Sequence, residues 1–446
     1  MLCGVIFILF IFNLPLIALA PRAHAAVSPY GDPANQSIAA HGEASTDPIN
    51  PIPPGTRITQ SNWQSFRQYM PDGMIALFEG KYFWKMPAGV GLEVGPTVLH
   101  PLPKNYVDAT EQYASQVKLV ELPDGGITLS GYRGGVPFPN PAEPHKGWKV
   151  LANLWFRYLP HLIVDTNGYT CGTDALGQTN CLSLTYVLRQ FSFNTDPGSA
   201  TAAPNPVFYT RWIMLLEPEQ QRYTTTLTIK YADPARAEDS YAFIPALRRY
   251  QPLSDTARCA ETSGTDATRD DYQFGFDSNI TQLKVEYVAR RQVLTLVDVN
   301  LPRAPFPAGF ELPLGWPQNS LGKWQVRNVD EISVSSLPGH QGCYGKRALY
   351  VDSLFNAALW VENYDTKMRL EKIHGIFPHT VDAPGIGPVN VSGADAEVFW
   401  NVQQNHATYV VEPALDGKHY VNEQAPKEYN DIQRYSTPSG LNLIMR

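Results

Sequence analysis

Past the first fifty residues, the apolar positions of this chain recur mostly with the period of a strand. Trp212-Ile213-Met214-Leu215-Leu216 is a continuous apolar run that predicts a buried strand. Tyr223 to Tyr231 alternates Thr with apolar residues, Asp233-Pro234 then turns the chain, and Tyr241 to Ile244 opens a further strand. Leu283, Val285 and Tyr287 alternate with polar residues, and Val293 to Val299 forms the next run. Leu349-Tyr350-Val351, Ala358 to Glu362 and Met368 to Ile373 predict a three-strand meander. Val398 to Val402 and Thr408 to Val411 predict a late hairpin with its turn near Asn405. Helical spacing is confined to the early part. Trp63, Phe66 and Met70 fall on one face behind a Ser61 cap, and a second helix is predicted from about Val107 to Val120, with Asp108 and Thr110 at its start and Tyr113, Val117 and Val120 on its apolar face. With no repeat and no clean linker, the order predicts one mainly β (α+β) domain over residues 56–446: a large curved antiparallel sheet, or half-open β-barrel, with a few helices packed against it.

The N-terminus changes where such a domain is expected to work. Leu2 to Ala20 is almost wholly apolar and is followed by Ala23-His24-Ala25, a small-x-small site that signal peptidase cuts. Residues 1–25 are therefore expected to be a signal peptide, although no Lys or Arg precedes the run. An uncleaved anchor is the alternative, because roughly 20 apolar residues can span a bilayer; Asn13 and Pro15, in mid-run, speak against it. Residues 26–55, rich in Pro, Ser, Asn and Ala, are expected to be an extended or disordered leader. The mature chain is expected to be soluble and periplasmic, in a Gram-negative envelope.

Composition narrows the class. Only 17% of residues are charged, while 38 prolines and 33 glycines fit a loop-rich β protein better than a helical bundle. A formal charge of -7 without basic clusters excludes nucleic acid as a partner, since phosphate contacts need local Lys and Arg. Loss of the signal would remove Cys3 and leave Cys171, Cys181, Cys259 and Cys343, an even number that predicts disulfides in an oxidising compartment. Of three possible pairings, Cys171–Cys181 is favoured because a polar turn lies between them, which leaves Cys259 with Cys343. No C-x-x-C suggests zinc, and no cofactor is implied.

Catalytic motifs are not evident. G-x-S-x-G, H-E-x-x-H and a P-loop do not occur. The S-x-x-K patterns at Ser115 and Ser320 lack their usual partners, and Gly89 to Gly95 has the wrong spacing for a nucleotide loop. His374 and His379 are too far apart for a standard metal pair. Asp266, Asp270 and Asp271 fall short of a calcium loop and read either as a solvated loop or as partners for nearby arginines, Arg248 and Arg249 being the candidates. Tyr132 to Pro139 reads as a tight turn, either presenting an exposed Phe138 or wrapping a core aromatic.

Four segments, in this order, carry a family resemblance: Gly134 to Pro139 (GGVPFP) with Trp148 and Asn153; Phe243 to Arg249 (FIPALRR); Gly264-Thr265-Asp266 leading to Asp270-Asp271; and Leu349 to Asp352 with Tyr364-Asp365. Over roughly residues 55–420 the chain resembles domain-of-unknown-function family 1329, whose members are similar to the lipoprotein-sorting proteins LolA and LolB. Residues 55–95 depart from it, lacking the Gly-rich opening of the family. The resemblance implies a half-open barrel around a hydrophobic cavity, no assigned catalytic residues, and work alongside an outer-membrane protein or an inner-membrane exporter. The leading expectation is a carrier for a lipid or other hydrophobic ligand, its cavity lined by Trp212, Met214, Leu227, Ile229, Phe243 and Leu247, with Arg248 and Arg249 facing an anionic head group. The alternatives are a non-catalytic envelope scaffold, which needs a large exposed apolar patch, and an envelope lipid or glycan hydrolase, for which Asp266 with His340 is the candidate pair.

Overall fold

The computed structural model describes residues 51–197 and 205–445, so the expected signal peptide and most of the expected leader lie outside the described residues. The last leader residues are part of the fold: Ile52 is buried in the core. Two antiparallel meanders follow one another along the chain. The first comprises β1 (Leu162–Asp174), β2 (Thr179–Gln190), β3 (Val207–Glu217), β4 (Thr225–Tyr231), β5 (Asp239–Ile244) and β6 (Arg249–Pro252). The second comprises β7 (Leu283–Leu296), β8 (Trp324–Ser336), β9 (Lys346–Asp352), β10 (Ala358–Tyr364), β11 (Leu370–Ala383), β12 (Gly387–Asn401) and β13 (His406–Glu412). The first strand of one meander pairs with the last strand of the other, giving a single sheet in the order β6-β5-β4-β3-β2-β1-β13-β12-β11-β10-β9-β8-β7, while β14 (His419–Val421) pairs with β1 as well. The sheet does not close: β6 and β7 are edges.

A helix measures how far the sheet curls. In α3, Lys146–Trp155, the glycine near the start lies so close to β7 that a Cβ on Gly147 would sit 2.7 Å from the Tyr287 backbone nitrogen. At its other end the Trp155 ring is 5.1 Å from that of Phe208 on β3. Nine strand steps separate β3 from β7. In a flat sheet that is about 43 Å at ~4.8 Å per step, yet a ten-residue helix spans only about 15 Å. The sheet must therefore wrap around α3, and the inner face becomes a core built from α3, Tyr106, Tyr132, Phe274 and Phe276 with residues of both meanders.

The outer face is covered in two pieces. Residues 52–97 and the 299–321 segment cover the β7–β13 half, where Trp316, Trp324, Trp360 and Trp400 stack with ring centroids 5.4 to 6.4 Å apart. The C-terminal segment, through Ala425, Tyr435 and Leu441, covers the β1–β5 half. Most strands are thus buried on both faces, and among the described residues no helix is long and apolar enough to cross a membrane.

The early helices differ from expectation. Trp63–Tyr69 is a 3-10 helix preceded by Asn62 instead of a capping Ser61, and an unforeseen α1, Asp72–Glu79, follows it. The second predicted helix, α2, runs from Lys104 to Tyr113 and stops early because Lys118–Glu121 pairs as a strand with Ile127–Ser130. Phe138 packs against Trp148, so GGVPFP wraps a core aromatic. The late hairpin turns at Asn405, which has φ 54°, as its position predicts.

Both disulfides form with the expected partners. Cys171–Cys181 joins residues directly opposed on β1 and β2. Cys259–Cys343 ties the turn after β6 to the loop between β8 and β9, and so staples the open seam of the sheet across 84 residues of sequence. Loop-closure entropy puts the second bond at about 4–5 kcal/mol and the first at about 3. The first also lies inside a hairpin that the ladder already holds. Paired Cys-to-Ser variants should therefore differ by about 2 kcal/mol in equilibrium denaturation, with loss of Cys259–Cys343 the more damaging; equal losses would refute the staple.

Candidate functional site

Five adjacent strands floor a cavity on the inner face. β3 contributes Arg211, Ile213 and Leu215, β2 contributes Leu182, Leu184 and Tyr186, and β1 contributes Thr170. Across the junction between the meanders, β13 adds Val410 and Glu412, and β12 adds Asp395, Glu397 and Phe399. The period of two in each strand sends these alternate residues inward and the intervening ones to the outer core. Residues 262–267 with Tyr272 and Gln273 form the roof. The unfilled space is about 800 Å³, part of it open to solvent.

Each end of the cavity is polar in its own way. At one end Arg211, 2% exposed, donates from Nη1 to Asp277 at 2.7 Å and packs over the Tyr272 ring, while its buried Nη2 has no hydrogen-bond partner. Asp277 also accepts from the Tyr209 hydroxyl at 2.8 Å and lies 3.0 Å from Lys230. Lys230 pairs with Glu238 at 2.8 Å, Glu238 with Arg258 at 2.5 Å and Arg269 at 3.5 Å, and Arg258 with Asp270. Burial alone would raise the Glu238 carboxyl, but Lys230 and Arg258 outweigh it and hold the group down at about 2.

Beside Arg211 runs a second chain of donors. Arg157 Nη2 donates to Gln273 Oε1 at 2.9 Å, and Gln273 Nε2 donates to the Tyr186 hydroxyl at 2.8 Å. Tyr186 is left with its own proton to donate, and burial raises that hydroxyl far above its usual pKa. Gln273 and Phe274 both have φ 58°, a left-handed conformation that ordinary side chains adopt at a cost and that recurs at functional sites.

At the other end, Asp395 and Glu412 are directly opposed across β12 and β13, with Glu397 two residues along from Asp395. Like charges in that position repel. Burial pushes Glu397 up to about 8 and Glu412 well above the carboxylate range. His374 lies beneath, its Nε2 2.8 Å from Glu397 and its ring stacked on Phe399, and burial lowers it to about 3. Both partners of the Glu397–His374 hydrogen bond are thereby held neutral near pH 7.

The profile of the family described as a protein of unknown function, DUF1329, matches residues 57–441. The chain belongs to the DUF1329 family. Solved structures similar to it include a domain from Vibrio parahaemolyticus named for outer-membrane lipoprotein sorting, at 13% identity over 68% of this chain and 99% of that one, with a TM-score of 0.45. A DUF1329 protein from Desulfovibrio piger matches at 11% identity over 66% and 98%, TM-score 0.44. A LolA superfamily protein from Nitrosomonas europaea matches at 10% identity over 63% and 96%, TM-score 0.37. No curated protein matches the chain.

The residues that the sequence suggested for this DUF1329 protein's ligand lie elsewhere. Trp212, Leu227 and Phe243 are buried on the outer face, with Met214 and Ile229 half-buried beside them, and the C-terminal segment packs over all five. Leu247 is exposed at 49% in the turn after β5. Arg248 occupies a left-handed turn and Arg249 opens β6; both are exposed. Neither meets the aspartate cluster: Asp266 pairs with His406 and Thr408, Asp270 with Arg258, and Asp271 with Arg347. Asp266 and His340 are likewise apart, His340 lying 3.2 Å from Asp124. The expected period-two alternation was right, but the lining is its other phase. Arg211, at period two with Ile213 and Leu215, is the signal that marks the inner face, because a charge inside an apolar strand needs a partner.

Glu397 gives the site a testable pH response. Its folded pKa lies above the unfolded value, so the folded state holds a proton that the unfolded chain releases, and stability falls as pH rises from about 4.5 to about 8. Glu397→Gln removes this dependence. The variant should gain on the wild type between pH 5 and pH 8 by about 3–4 kcal/mol, measured as the shift in denaturation midpoint at the two pH values; a gap that stays constant would show that Glu397 is ionised in the fold.

Proposed function

We propose that this DUF1329 protein binds and carries a lipid or other hydrophobic molecule in the inner cavity. The observation that carries the reading is the cavity itself, an apolar-walled space of about 800 Å³, part of it open to solvent, between a five-strand floor and the 262–273 roof. Burying a 16-carbon chain there would contribute on the order of 12 kcal/mol gross at about 0.8 kcal/mol per methylene, before ordering costs. In this reading the protein works in the bacterial envelope and exchanges its cargo with an outer-membrane protein or an exporter. The large exposed apolar side chains, among them Phe83, Leu176, Leu247, Val288 and Met368, are dispersed over separate elements, which favours a carrier over a scaffold with one broad apolar patch.

The test is native mass spectrometry with lipid analysis of protein exported to a periplasm and purified without detergent. A stoichiometric hydrophobic molecule is expected on the wild type. Ile213→Glu, which puts a charge on the cavity floor, should strip it. Trp212→Ala, one residue away on the outer face, should lower stability by about 3–5 kcal/mol yet keep the ligand. A wild type that emerges empty and takes up no added hexadecanol or methyl hexadecanoate would refute the carrier reading.

A further inference from the structure

A network of charges runs beside the cavity. Among the described residues, Arg211, Lys230, Arg258 and Arg269 are linked in it to Glu238, Asp270 and Asp277. The nitrogen of this network that is buried, unpartnered and on the cavity wall is Arg211 Nη2. A buried guanidinium nitrogen without a partner is costly, and a ligand acceptor relieves that cost.

The second donor chain ends in the same cavity. Arg157, buried at 5% exposure, polarises Gln273, Gln273 polarises Tyr186, and the Tyr186 O–H is the free end. Each bond in such a series strengthens the next. Tyr186 is 5% exposed and stands one register step from Arg211, since Tyr186 opposes Ile213 and Leu188 opposes Arg211 across β2 and β3. Diagonal neighbours on one face of a sheet are within reach of a shared ligand atom. Two donors therefore converge, one of them a guanidinium nitrogen that has no partner in the fold.

We infer that the cavity selects amphiphiles with one singly charged anionic head, a carboxylate, seated against Arg211 and Tyr186, with the apolar tail lying along Leu182, Leu184, Leu215 and Phe399. This rests on the carrier reading and names its class of cargo. A carboxylate offers an acceptor oxygen to each of the two donors and brings one charge, whereas a dianionic phosphate would carry a second charge into an apolar-walled site. An amine would meet the converging donors head-on, and the acids that could receive it stand at the opposite end of the cavity.

The experiment is titration calorimetry at pH 7 of the delipidated full-length protein with four probes that share a 16-carbon chain: hexadecanoate, methyl hexadecanoate, hexadecyl phosphate and hexadecylamine. Hexadecanoate should bind at least tenfold more tightly than its methyl ester. Tyr186→Phe keeps the ring in the core and leaves the ionic network untouched, so it should weaken hexadecanoate about tenfold and leave the ester unchanged. Arg211→Gln should abolish the preference for the acid, provided its circular dichroism matches the wild type; Tyr186→Phe decides the matter if it does not. Ester and acid binding alike would overturn the head-group inference while leaving the carrier reading standing. So would preference for the amine or the phosphate, or indifference of acid binding to Tyr186→Phe. Failure of all four probes to bind would overturn both.

Discussion

The molecule depends on one strand pairing, that of β1 with β13. Six residue pairs, from His406 opposite Asp174 to Val411 opposite Tyr169, join segments more than two hundred residues apart. Without them there are two separate meanders, each with an apolar inner face and no common core. With them the inner face becomes continuous, α3 can touch strands of both, and the cavity floor exists at all, since β3, β2 and β1 come from the first meander and β13 and β12 from the second. So distant a contact must repay a large loop-closure cost. The flanking features concentrate on the same strand: β14 pairs along the first half of β1, and Cys171, at the far end, is bonded to β2.

Acidic groups on the inner face meet two different fates, and neighbouring cations decide which. Removing a carboxylate from water costs several kcal/mol. One cation at 4 Å returns about 4 kcal/mol at an effective dielectric of 20. Glu238, with Lys230, Arg258 and Arg269 around it, recovers more than it loses and stays ionised. Glu397 has a neutral imidazole beside it and another negative group, Asp271, within electrostatic range, so protonation is its cheaper course. One wall of the cavity is therefore ionic, while on the opposite wall Glu397 and Glu412 are pushed toward their protonated forms. That polarity comes from the folded arrangement alone: Arg211, Lys230, Glu238, Arg258, Asp270 and Asp277 are scattered over two strands and two connecting segments.

Much of the architecture was legible in the sequence. Thr-apolar alternation in Tyr223 to Tyr231, the meander from Leu349 to Ile373 and the hairpin at Asn405 each have a period or a turn residue that strands demand, and the polar segment between Cys171 and Cys181 betrays its bond. The helix Lys146–Trp155 was overlooked: Trp148, Leu151 and Trp155 do recur at helical spacing, but the segment is only ten residues long and His145, in front of it, supplies no side-chain cap to mark a start. The lining of the cavity was misread for another reason. On β3 both Trp212 and Ile213 face apolar surroundings, so period two separates two faces without saying which is covered by the C-terminal segment and which by a roof with space beneath it. The roof, at 262–273, has no periodicity, and its left-handed Gln273 is an unremarkable residue type.

A sheet that curls without closing keeps two rows of unpaired backbone groups, and such rows recruit strands from other molecules. The edge at β6 is four residues long and ends in Pro252, which cannot donate to a ladder. The edge at β7 is fourteen residues long and is the more hazardous of the two. It carries exposed Lys284, Glu286 and Arg290, and its register slips between Tyr287 and Ala289, where a bulge turns Val288 outward at 52% exposure. Charges and a bulge both spoil a flat template for a foreign strand. Openness along this seam is thus combined with borders that make poor templates: a short strand ending in proline on one side, charges and a bulge on the other.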